Sequence, residues 1–404
     1  MQGKHAMKSV RSLLLAGFVA AALFLAAVGR TLADGTVPGY VICRIRPGAS
    51  ISRLAQAYRT TVLDHVPGSL IYTLKVPAGG TVAGFADRLR GDWRVVYAEG
   101  DTFFSNPELK GKQLHFAFDA GPDPAGYENQ GAYQQVSWGD SARRATGDGV
   151  VVAVLDTGID AGHPVFAGRL LPGYNAVDPG SEPLDVADGA GSAAVGHGTM
   201  VAGIVARIAP EARIMPVKIL NGAGKGRGIN AAKGIYFAVA QGARILNMSF
   251  GSFRRSAALN EALDHAERAG AVLVGSAGNE GLERVHFPAT GKGALAVGAV
   301  EADYTKAAYS NYGSWIRVVA PGTGIRSTYP GGGYATWTGT SFAAPFVSAA
   351  AALLFSTGPG MTEDLVKSTL RGTARSVDPM NPGYEGKLGN GIIDMDAAVA
   401  AALG

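Results

Sequence analysis

The chain has 404 residues, of which 47% are hydrophobic and 17% charged, so it is long and apolar enough to bury a sizeable core. Its formal net charge of +4 comes from the N-terminal quarter, because residues 1–107 hold 12 basic and 6 acidic side chains and the remainder is slightly acidic. The overall charge therefore gives no reason to expect nucleic acid as a partner, and the single cysteine, Cys43, excludes an intramolecular disulfide. We expect Cys43 to be a buried apolar side chain.

The first 33 residues have the features of a secretory signal. Lys4, Lys8 and Arg11 precede an unbroken apolar run at 13–28, and Thr31-Leu32-Ala33 provides small residues for cleavage after Ala33. That run is shorter than the roughly 20 residues that a spanning helix needs. We therefore expect residues 1–33 to be a removed signal peptide and the protein to be secreted, extracellular or periplasmic, with no membrane contact afterwards. A retained anchor is the alternative.

Residues 34–104 are predicted to form a small α+β domain. The elements expected in chain order are a strand at 40–45, a helix at 50–58, a strand at 70–76, a helix at 81–90 and a strand at 95–98. This β-α-β-α-β order suits a ferredoxin-like unit. Residues 105–130 contain turn-forming pairs such as Asn106-Pro107 and Gly121-Pro122, which indicate a linker.

Residues 131–404 are predicted to form one α/β domain. Short apolar runs alternate there with helical stretches, at 150–155, 214–219, 243–248, 271–275, 294–300 and 316–319. Because these runs lack polar alternation, they indicate strands that are buried on both faces. We expect a mostly parallel twisted sheet flanked by helices on both faces.

Three Gly-rich segments carry an acid, a base and a nucleophile in that order. Asp156 follows the first apolar strand, His197 lies between two glycines, and Ser341 precedes an apolar helix whose unpaired N–H groups favour negative charge. Each residue alone also has an ordinary interpretation, which is a turn or N-cap for Asp156 and Ser341 and a structural or surface role for His197.

With these segments in this order, the chain resembles the subtilisin-like serine proteases, or subtilases. The similarity covers about residues 133–404, and the N-terminal domain looks like the family's pro-region, which acts as folding chaperone and inhibitor. The resemblance implies a serine endopeptidase in which Asp156 orients His197, His197 is the general base and Ser341 is the nucleophile. It also implies that Asn279 and the Ser341 N–H stabilise the oxyanion. A loop asparagine bonded to its own backbone is the alternative for Asn279.

The resemblance further implies that an extended substrate binds as an added strand between two edges of the protein. The residues expected to contact it are Gly224, Lys225, Gly226, Ser249, Phe250, Gly251, Ser276, Ala277 and Gly278. Phe250 is expected to separate the pocket for the side chain before the cut bond from its outer neighbour. His286 aligns with the far end of that pocket, where the family often has a small residue, and we expect it to narrow or polarise the pocket. A partly exposed loop histidine is the alternative.

No cofactor is implied, and departures from the family pattern predict no metal. The helix after His197 lacks the inserted Asn-rich calcium loop of many subtilases. Where relatives have the acidic residues of a weaker cation site, this chain has Trp315-Ile-Arg317, and we expect Arg317 to stand in for the cation. We expect Asp178, Asp185 and Asp188 to form a solvated surface loop and no high-affinity calcium site to be present.

The expected partners are protein or peptide substrates and the chain's own pro-region, which would occupy the cleft until it is cut between about residues 104 and 130. A permanently attached N-terminal domain is the alternative for that region. The rival functions are a dedicated maturation protease with narrow specificity and a catalytically silent peptide-binding scaffold.

Overall fold

The computed structural model describes residues 35–109, 116–140, 142–189 and 191–404, so the predicted signal peptide and part of the predicted linker lie outside the described residues. The N-terminal domain is an antiparallel sheet of β1 (Thr36–Ile45), β2 (Val62–His65), β3 (Ile71–Lys75) and β4 (Val95–Ser105), with helices α1 (Ile51–Tyr58) and α2 (Val82–Arg90). The strand order β2-β3-β1-β4 and the element order β-α-β-β-α-β are those of a ferredoxin-like unit.

Local sequence signals explain most of this domain. Ser50 and Thr81 cap the two helices, because their side chains accept hydrogen bonds from the N–H groups of Arg53 and Gly84. Cys43 is fully buried in the domain core, as predicted. Strand β2 was not predicted from the sequence because it is largely exposed and lacks an alternating apolar pattern.

The remaining strands belong to the C-terminal domain. They are β5 (Phe118–Gly121), β6 (Val151–Asp156), β7 (Tyr174–Asn175), β8 (Arg213–Lys218), β9 (Lys225–Arg227), β10 (Ile245–Met248), β11 (Val272–Ser276), β12 (Leu295–Val300), β13 (Val318–Pro321), β14 (Ile325–Tyr329) and β15 (Gly333–Trp337). Its helices are α3 (Ala125–Glu128), α4 (Gly131–Gln135), α5 (His197–Ile208), α6 (Gly228–Ala240), α7 (Ala257–Arg268), α8 (Thr340–Phe355), α9 (Glu363–Gly372) and α10 (Met395–Leu403).

Within the described ranges, a seven-stranded parallel sheet in the order β13-β12-β11-β10-β6-β8-β7 forms the centre of this domain. Helices α5 and α8 pack on one face and α6 and α7 on the other, which confirms the predicted fold class. The two-residue strand β7 was missed because it is too short to produce a sequence pattern. Of the helices that the structure describes, none has both the length and the apolar character needed to cross a membrane.

The N-terminal sheet packs against helices α6 and α7. Ile42, Val66, Ile71 and Phe104 join the apolar cluster that these helices form with the central sheet. Strand β4 also pairs antiparallel with β9, so the N-terminal sheet continues into the C-terminal domain. The two domains therefore share both a hydrophobic interface and a hydrogen-bonded strand.

Two carboxylates of β4 bind the N-termini of the helices beneath them. Glu99 accepts hydrogen bonds from the Ser256 hydroxyl at 2.8 Å and from the N–H groups of Ala257 and Ala258 at 2.9 and 3.0 Å, at the start of α7. Asp101 accepts from Arg227 Nε at 2.7 Å and from the N–H of Ile229 in α6 at 3.3 Å. Negative charge at a helix N-terminus is favourable, so both contacts stabilise the docked arrangement.

Candidate active site

Asp156 and His197 are brought together by the ends of two adjacent elements. Asp156 is the last residue of β6, and His197 is the first residue of α5. His197 Nδ1 donates to Asp156 Oδ1 at 2.8 Å, and the N–H of Thr157 donates to the same oxygen at 2.7 Å. Both side chains are completely buried.

The glycines beside His197 are required by close packing. Gly196 has a φ of 96°, in the left-handed region, and a Cβ there would lie 2.2 Å from the ring of Tyr329. A Cβ on Gly198 would lie 2.2 Å from the carbonyl oxygen of Gly158. The Gly-His-Gly pattern thus lets the start of α5 approach the β6 edge closely enough for His197 to reach Asp156.

Ser341 lies in the first turn of α8, one residue inside the helix rather than before it. Its hydroxyl donates to Glu108 Oε2 at 2.9 Å and lies 3.3 Å from the carbonyl oxygen of Ser249. The hydroxyl of Ser249 in turn donates to the Ser341 carbonyl at 2.8 Å. The helix N-cap is Gly339, so the N-cap interpretation of Ser341 is wrong.

Asn279 faces the same point from the loop after β11. Its Oδ1 accepts from the N–H of Thr340 at 2.9 Å and from the Thr340 hydroxyl at 2.8 Å. Its Nδ2 donates to Glu108 Oε1 at 2.9 Å. These contacts link the loop after β11 to the first residue of α8, so the alternative of a loop asparagine bonded to its own backbone is wrong.

Glu108 was placed in the linker by sequence reasoning and was not predicted as a site residue. Its carboxylate is completely buried, with Oε1 near Asn279 Nδ2 and the Ser341 N–H (3.3 Å) and Oε2 near the Ser341 hydroxyl and His197 Nε2 (3.1 Å). The only local signal was a lone acid just after Asn106-Pro107, which by itself is typical of a turn.

The charges of this cluster stabilise one another. Burial disfavours the imidazolium, but the nearby carboxylates of Asp156 and Glu108 outweigh burial and raise the pKa of His197 to about 10. Burial likewise opposes the charged form of Glu108, but hydrogen bonds from His197 and Ser341 and the imidazolium charge lower the pKa of its carboxyl. At neutral pH, His197 is therefore an imidazolium that donates to both carboxylates.

The segment before Glu108 lies between the two predicted substrate-binding edges. In the β4–β9 ladder, Phe104 is opposite Gly226 and Ser105 is opposite Lys225. On the same side as β9, the N–H of Asn106 donates to the Gly224 carbonyl at 3.0 Å. On the other side, Ser105 exchanges backbone hydrogen bonds with Gly251, at 3.2 Å and 2.9 Å. Strand β4 runs past the predicted domain boundary at 104 because these edges pair with it.

An aromatic cluster holds the side chain of Phe104. Its ring lies edge-on to Phe250 with 5.8 Å between centroids and 6.4 Å from Phe287. Phe250 is completely buried within this cluster, and its role in separating two pockets stays a prediction. The side chain two positions before Asn106 therefore lies in an apolar recess that accommodates an aromatic ring.

His286 is packed behind the predicted pocket wall. It is completely buried, its Nδ1 lies 3.2 Å from the carbonyl oxygen of Ser276, and a Cβ on Gly251 would lie 2.1 Å from its ring. A Cβ on Gly278 would also meet the ring, at 3.1 Å. Ser276, Ala277 and Gly278 are buried alongside it. The alternative of a partly exposed loop histidine is therefore wrong.

The acidic loop at 178–188 matches the expectation of a solvated surface at Asp178, which is exposed, but differs from it at Asp185 and Asp188. Asp185 is only 2% exposed, and its Oδ2 accepts from the N–H and hydroxyl of Thr199 at 3.0 and 2.7 Å. Burial raises the pKa of Asp185. Asp188 accepts from the N–H of Gly222 at 2.7 Å. These carboxylates brace α5 and the 221–224 turn, a role that their sequence spacing did not reveal.

Comparisons with known proteins agree with this arrangement of two domains. The profile described as the subtilase family matches residues 147–391, and the profile described as the fervidolysin N-terminal prodomain matches residues 33–101. The thermophilic serine proteinase of Bacillus sp. (strain AK1) is 32% identical over 84% of this chain and 83% of its own length. Subtilisin BL of Lederbergia lenta is 37% identical over 66% of this chain and 99% of its own.

A solved structure shares both domains. The crystal structure of fervidolysin from Fervidobacterium pennivorans, a keratinolytic enzyme related to subtilisin, superposes with a TM-score of 0.75 at 25% identity. The match covers 90% of this chain and 61% of fervidolysin, so this chain spans less than two thirds of that protein's length.

Proposed function

This chain belongs to the subtilase family of serine endopeptidases, and from that premise we propose that it is a secreted protease, made as a precursor whose N-terminal domain blocks the site until it is cut. One observation carries the proposal: Ser341, His197 and Asn279 converge on a single carboxylate of Glu108. That carboxylate lies where a nucleophile, a base and two oxyanion donors would have to meet around a reacting carbonyl.

The reaction follows from the positions of these groups. Once the site is open, His197 Nε2 takes the proton of the Ser341 hydroxyl as that oxygen attacks the carbonyl carbon of the substrate. Asp156 holds the ring through Nδ1 and stabilises the imidazolium that forms. The negative charge that develops on the carbonyl oxygen is met by Asn279 Nδ2 and the Ser341 N–H.

Collapse of this intermediate breaks the C–N bond, and the imidazolium of His197 gives its proton to the leaving amine. Water, deprotonated by His197, then attacks the ester on Ser341 and releases a carboxylic acid and the free hydroxyl. The proposed chemistry uses the side chains of this chain and water, with no added cofactor.

The bound N-terminal segment supports the proposed mode of substrate binding. Residues 103–106 lie as an extended strand between Lys225–Arg227 and Gly251, held mainly by backbone hydrogen bonds. A substrate strand that replaced them would be recognised in the same manner, with tolerance for many sequences. We propose that autoprocessing cuts the chain between about residues 104 and 130 and frees these edges.

Narrow specificity is the second candidate, favoured by one observation. The buried ring of His286 fills the space behind Gly251 and Gly278, which reduces the room for a large side chain before the cut bond. Digestion of a diverse peptide library would separate the two functions: many cut sites with small preceding residues indicate a general protease, whereas a single preferred motif indicates a dedicated maturation protease.

Intact mass spectrometry with a fluorophosphonate tests the proposed function. We expect the wild-type chain to lose its N-terminal domain and gain one adduct, and the Ser341→Ala variant to remain whole and unlabelled. A processed wild-type chain that stays unlabelled would instead indicate a silent peptide-binding scaffold that another protease had cut.

A further inference from the structure

The uncleaved chain leaves its substrate-like path just where the bond to be cut would enter the site. The backbone is extended and paired on both sides through Ser105, and the N–H of Asn106 still donates to Gly224. Pro107 has no N–H with which to continue this pairing, and residues Pro107–Leu109 form a short 3₁₀ helix. This turn directs the side chain of Glu108, rather than a peptide carbonyl, into the oxyanion site.

The Glu108 side chain contacts the proposed nucleophile, the proposed general base and both proposed oxyanion donors. Oε1 takes both oxyanion donors, Asn279 Nδ2 and the Ser341 N–H, at 2.9 and 3.3 Å. Oε2 lies between the Ser341 hydroxyl at 2.9 Å and His197 Nε2 at 3.1 Å. A peptide carbonyl could not reach the donors while this carboxylate is bound.

The absence of a side chain at Gly339 makes room for the carboxylate. A Cβ on Gly339 would lie 2.0 Å from Glu108 Oε1. The carboxylate is also fully desolvated, and a buried charge is tolerated only when it is paired and hydrogen-bonded. Both carboxylate oxygens of Glu108 have hydrogen-bond partners, so the observed contacts satisfy that requirement and hold the side chain in this position.

Resting on the proposed function, we propose that Glu108 is an anionic plug that keeps the uncleaved chain inactive by filling the oxyanion site and by placing its carboxylate between the Ser341 hydroxyl and His197 Nε2. An imidazolium cannot accept the Ser341 proton, and the filled site cannot accept an oxyanion. The Glu108 side chain must therefore withdraw before the first cleavage, while the strand at 103–106 can remain paired.

Glu99 provides a control because it is a second, partly buried interface glutamate with a different role. It binds the N-terminus of α7, far along β4 from the site, and therefore holds the N-terminal domain in place without touching the catalytic groups. Glu108→Gln and Glu99→Gln both remove one negative charge with little change of shape. Only the first removes the plug.

The first test measures processing of the full-length chain. Wild type, Glu108→Gln and Glu99→Gln are refolded from denaturant, and the loss of intact precursor is followed by mass spectrometry. A hydrogen bond to a charged group is stronger than a neutral one, so replacing the carboxylate with an amide should weaken the blocked state of the site. We therefore expect Glu108→Gln to process about tenfold faster than wild type, or more. Glu99→Gln should show no such gain. If wild type processes, equal or slower processing of Glu108→Gln, or an equal gain in both variants, would overturn the plug.

The second test needs no enzymatic activity. In the Ser341→Ala background the chain stays uncleaved, and ¹⁵N-histidine NMR reports the protonation of His197. At about pH 8.5, well above the ordinary histidine pKa of about 6.5, we expect both ring nitrogens to carry protons. Adding Glu108→Gln should lower the pKa of His197, so that the second ring proton is lost at a lower pH than in the chain that retains Glu108, because Asp156 alone then opposes burial. A neutral His197 ring at this pH in the chain that retains Glu108 would contradict the proposal.

The two tests also separate the plug from the proposed function. If no variant processes but the NMR spectrum shows a Glu108-dependent imidazolium, the plug exists and the protease assignment fails. If the chains process normally but His197 is neutral in the uncleaved form, the protease assignment stands and the plug fails.

Discussion

Asn279 lies in the loop after β11 and Thr340 is the first residue of α8, and Asn279 Oδ1 accepts hydrogen bonds from both the N–H and the hydroxyl of Thr340. This double contact fixes the amide so that its Nδ2 faces the oxyanion site. Because Thr340 immediately precedes Ser341, the same link also sets the distance between the two proposed oxyanion donors.

Thr340→Val should lower kcat without a matching rise in KM. The substitution keeps the shape and the backbone N–H but removes the hydroxyl, which also accepts from the Gly278 N–H at 3.1 Å. Two neutral hydrogen bonds of the hydroxyl are lost, and loss of the one that holds Asn279 Oδ1 predicts a decrease in kcat of about 3- to 10-fold. Thr340→Ser, which keeps the hydroxyl, is the control. Steady-state kinetics on the processed enzyme provide the measurement, and equal effects of Val and Ser would contradict the positioning role.

Asn279→Ala should be more severe because it removes a donor to the oxyanion itself. We expect kcat to fall by about 10²–10³-fold, with KM little changed. Labelling of Ser341 by a small fluorophosphonate checks that the nucleophile remains accessible. A large rise in KM with kcat retained would mean that Asn279 contributes to substrate binding rather than to stabilisation of the oxyanion.

The uncleaved chain should lose stability as the pH rises toward 10. The pKa of His197 is about 10 in the folded chain and about 6.5 in an unfolded one, so its charged form stabilises the fold fully below about 6.5. That contribution declines above 6.5 and disappears as the pH rises through 10. The pKa of Glu108 is lowered, so its contribution is present above its ordinary value of about 4.3 and is lost as the pH falls through the folded value.

Urea unfolding of the Ser341→Ala chain between about pH 5 and pH 10 measures this dependence. The charged groups that face His197 are Asp156 and Glu108. In the Glu108→Gln background only Asp156 remains, so the decline in the urea midpoint should be shallower and should end at a lower pH. Superimposable pH profiles for the two backgrounds would show that Glu108 does not raise the pKa of His197.

His286→Ala should widen the range of side chains accepted before the cut bond. The buried histidine ring packs behind Gly251 and Gly278, and its removal opens space next to both glycines. One methylene in a pocket changes selectivity by about 10- to 200-fold, so we expect kcat/KM for a large residue relative to alanine to rise by at least about tenfold. Paired peptide substrates provide the measurement. An unchanged ratio would place His286 in a purely structural role.

The local patterns of the chain determined most of the fold. Both faces of a parallel sheet are covered, so its strands lack polar alternation. This pattern can be recognised within a few contiguous residues, as in β6, β8, β10, β11 and β12. The helix starts at Ser50 and Thr81 are also local features, because a capping side chain accepts hydrogen bonds from N–H groups only two or three residues away.

The segments around Asp156, His197 and Ser341 could also be recognised locally, because each is a short motif at the end of one strand or the start of one helix. Their mutual distances and the orientation of Asn279 depend on contacts between separate loops. The tertiary structure alone decided that Asp185 is buried under α5 and that His286 lies behind the pocket wall.

Glu108 shows most clearly the difference between what the sequence could predict and what only the tertiary structure revealed. By itself the sequence determined a prodomain-like unit and a subtilase domain, and it predicted a linker between them, a stretch from which β5 and α3 join the C-terminal domain. Only the folded chain decided that Glu108 reaches partners 89, 171 and 233 residues away, at His197, Asn279 and Ser341. Such contacts have no local pattern, because they form only after strand pairing with β9 and Gly251 has brought the segment across the site.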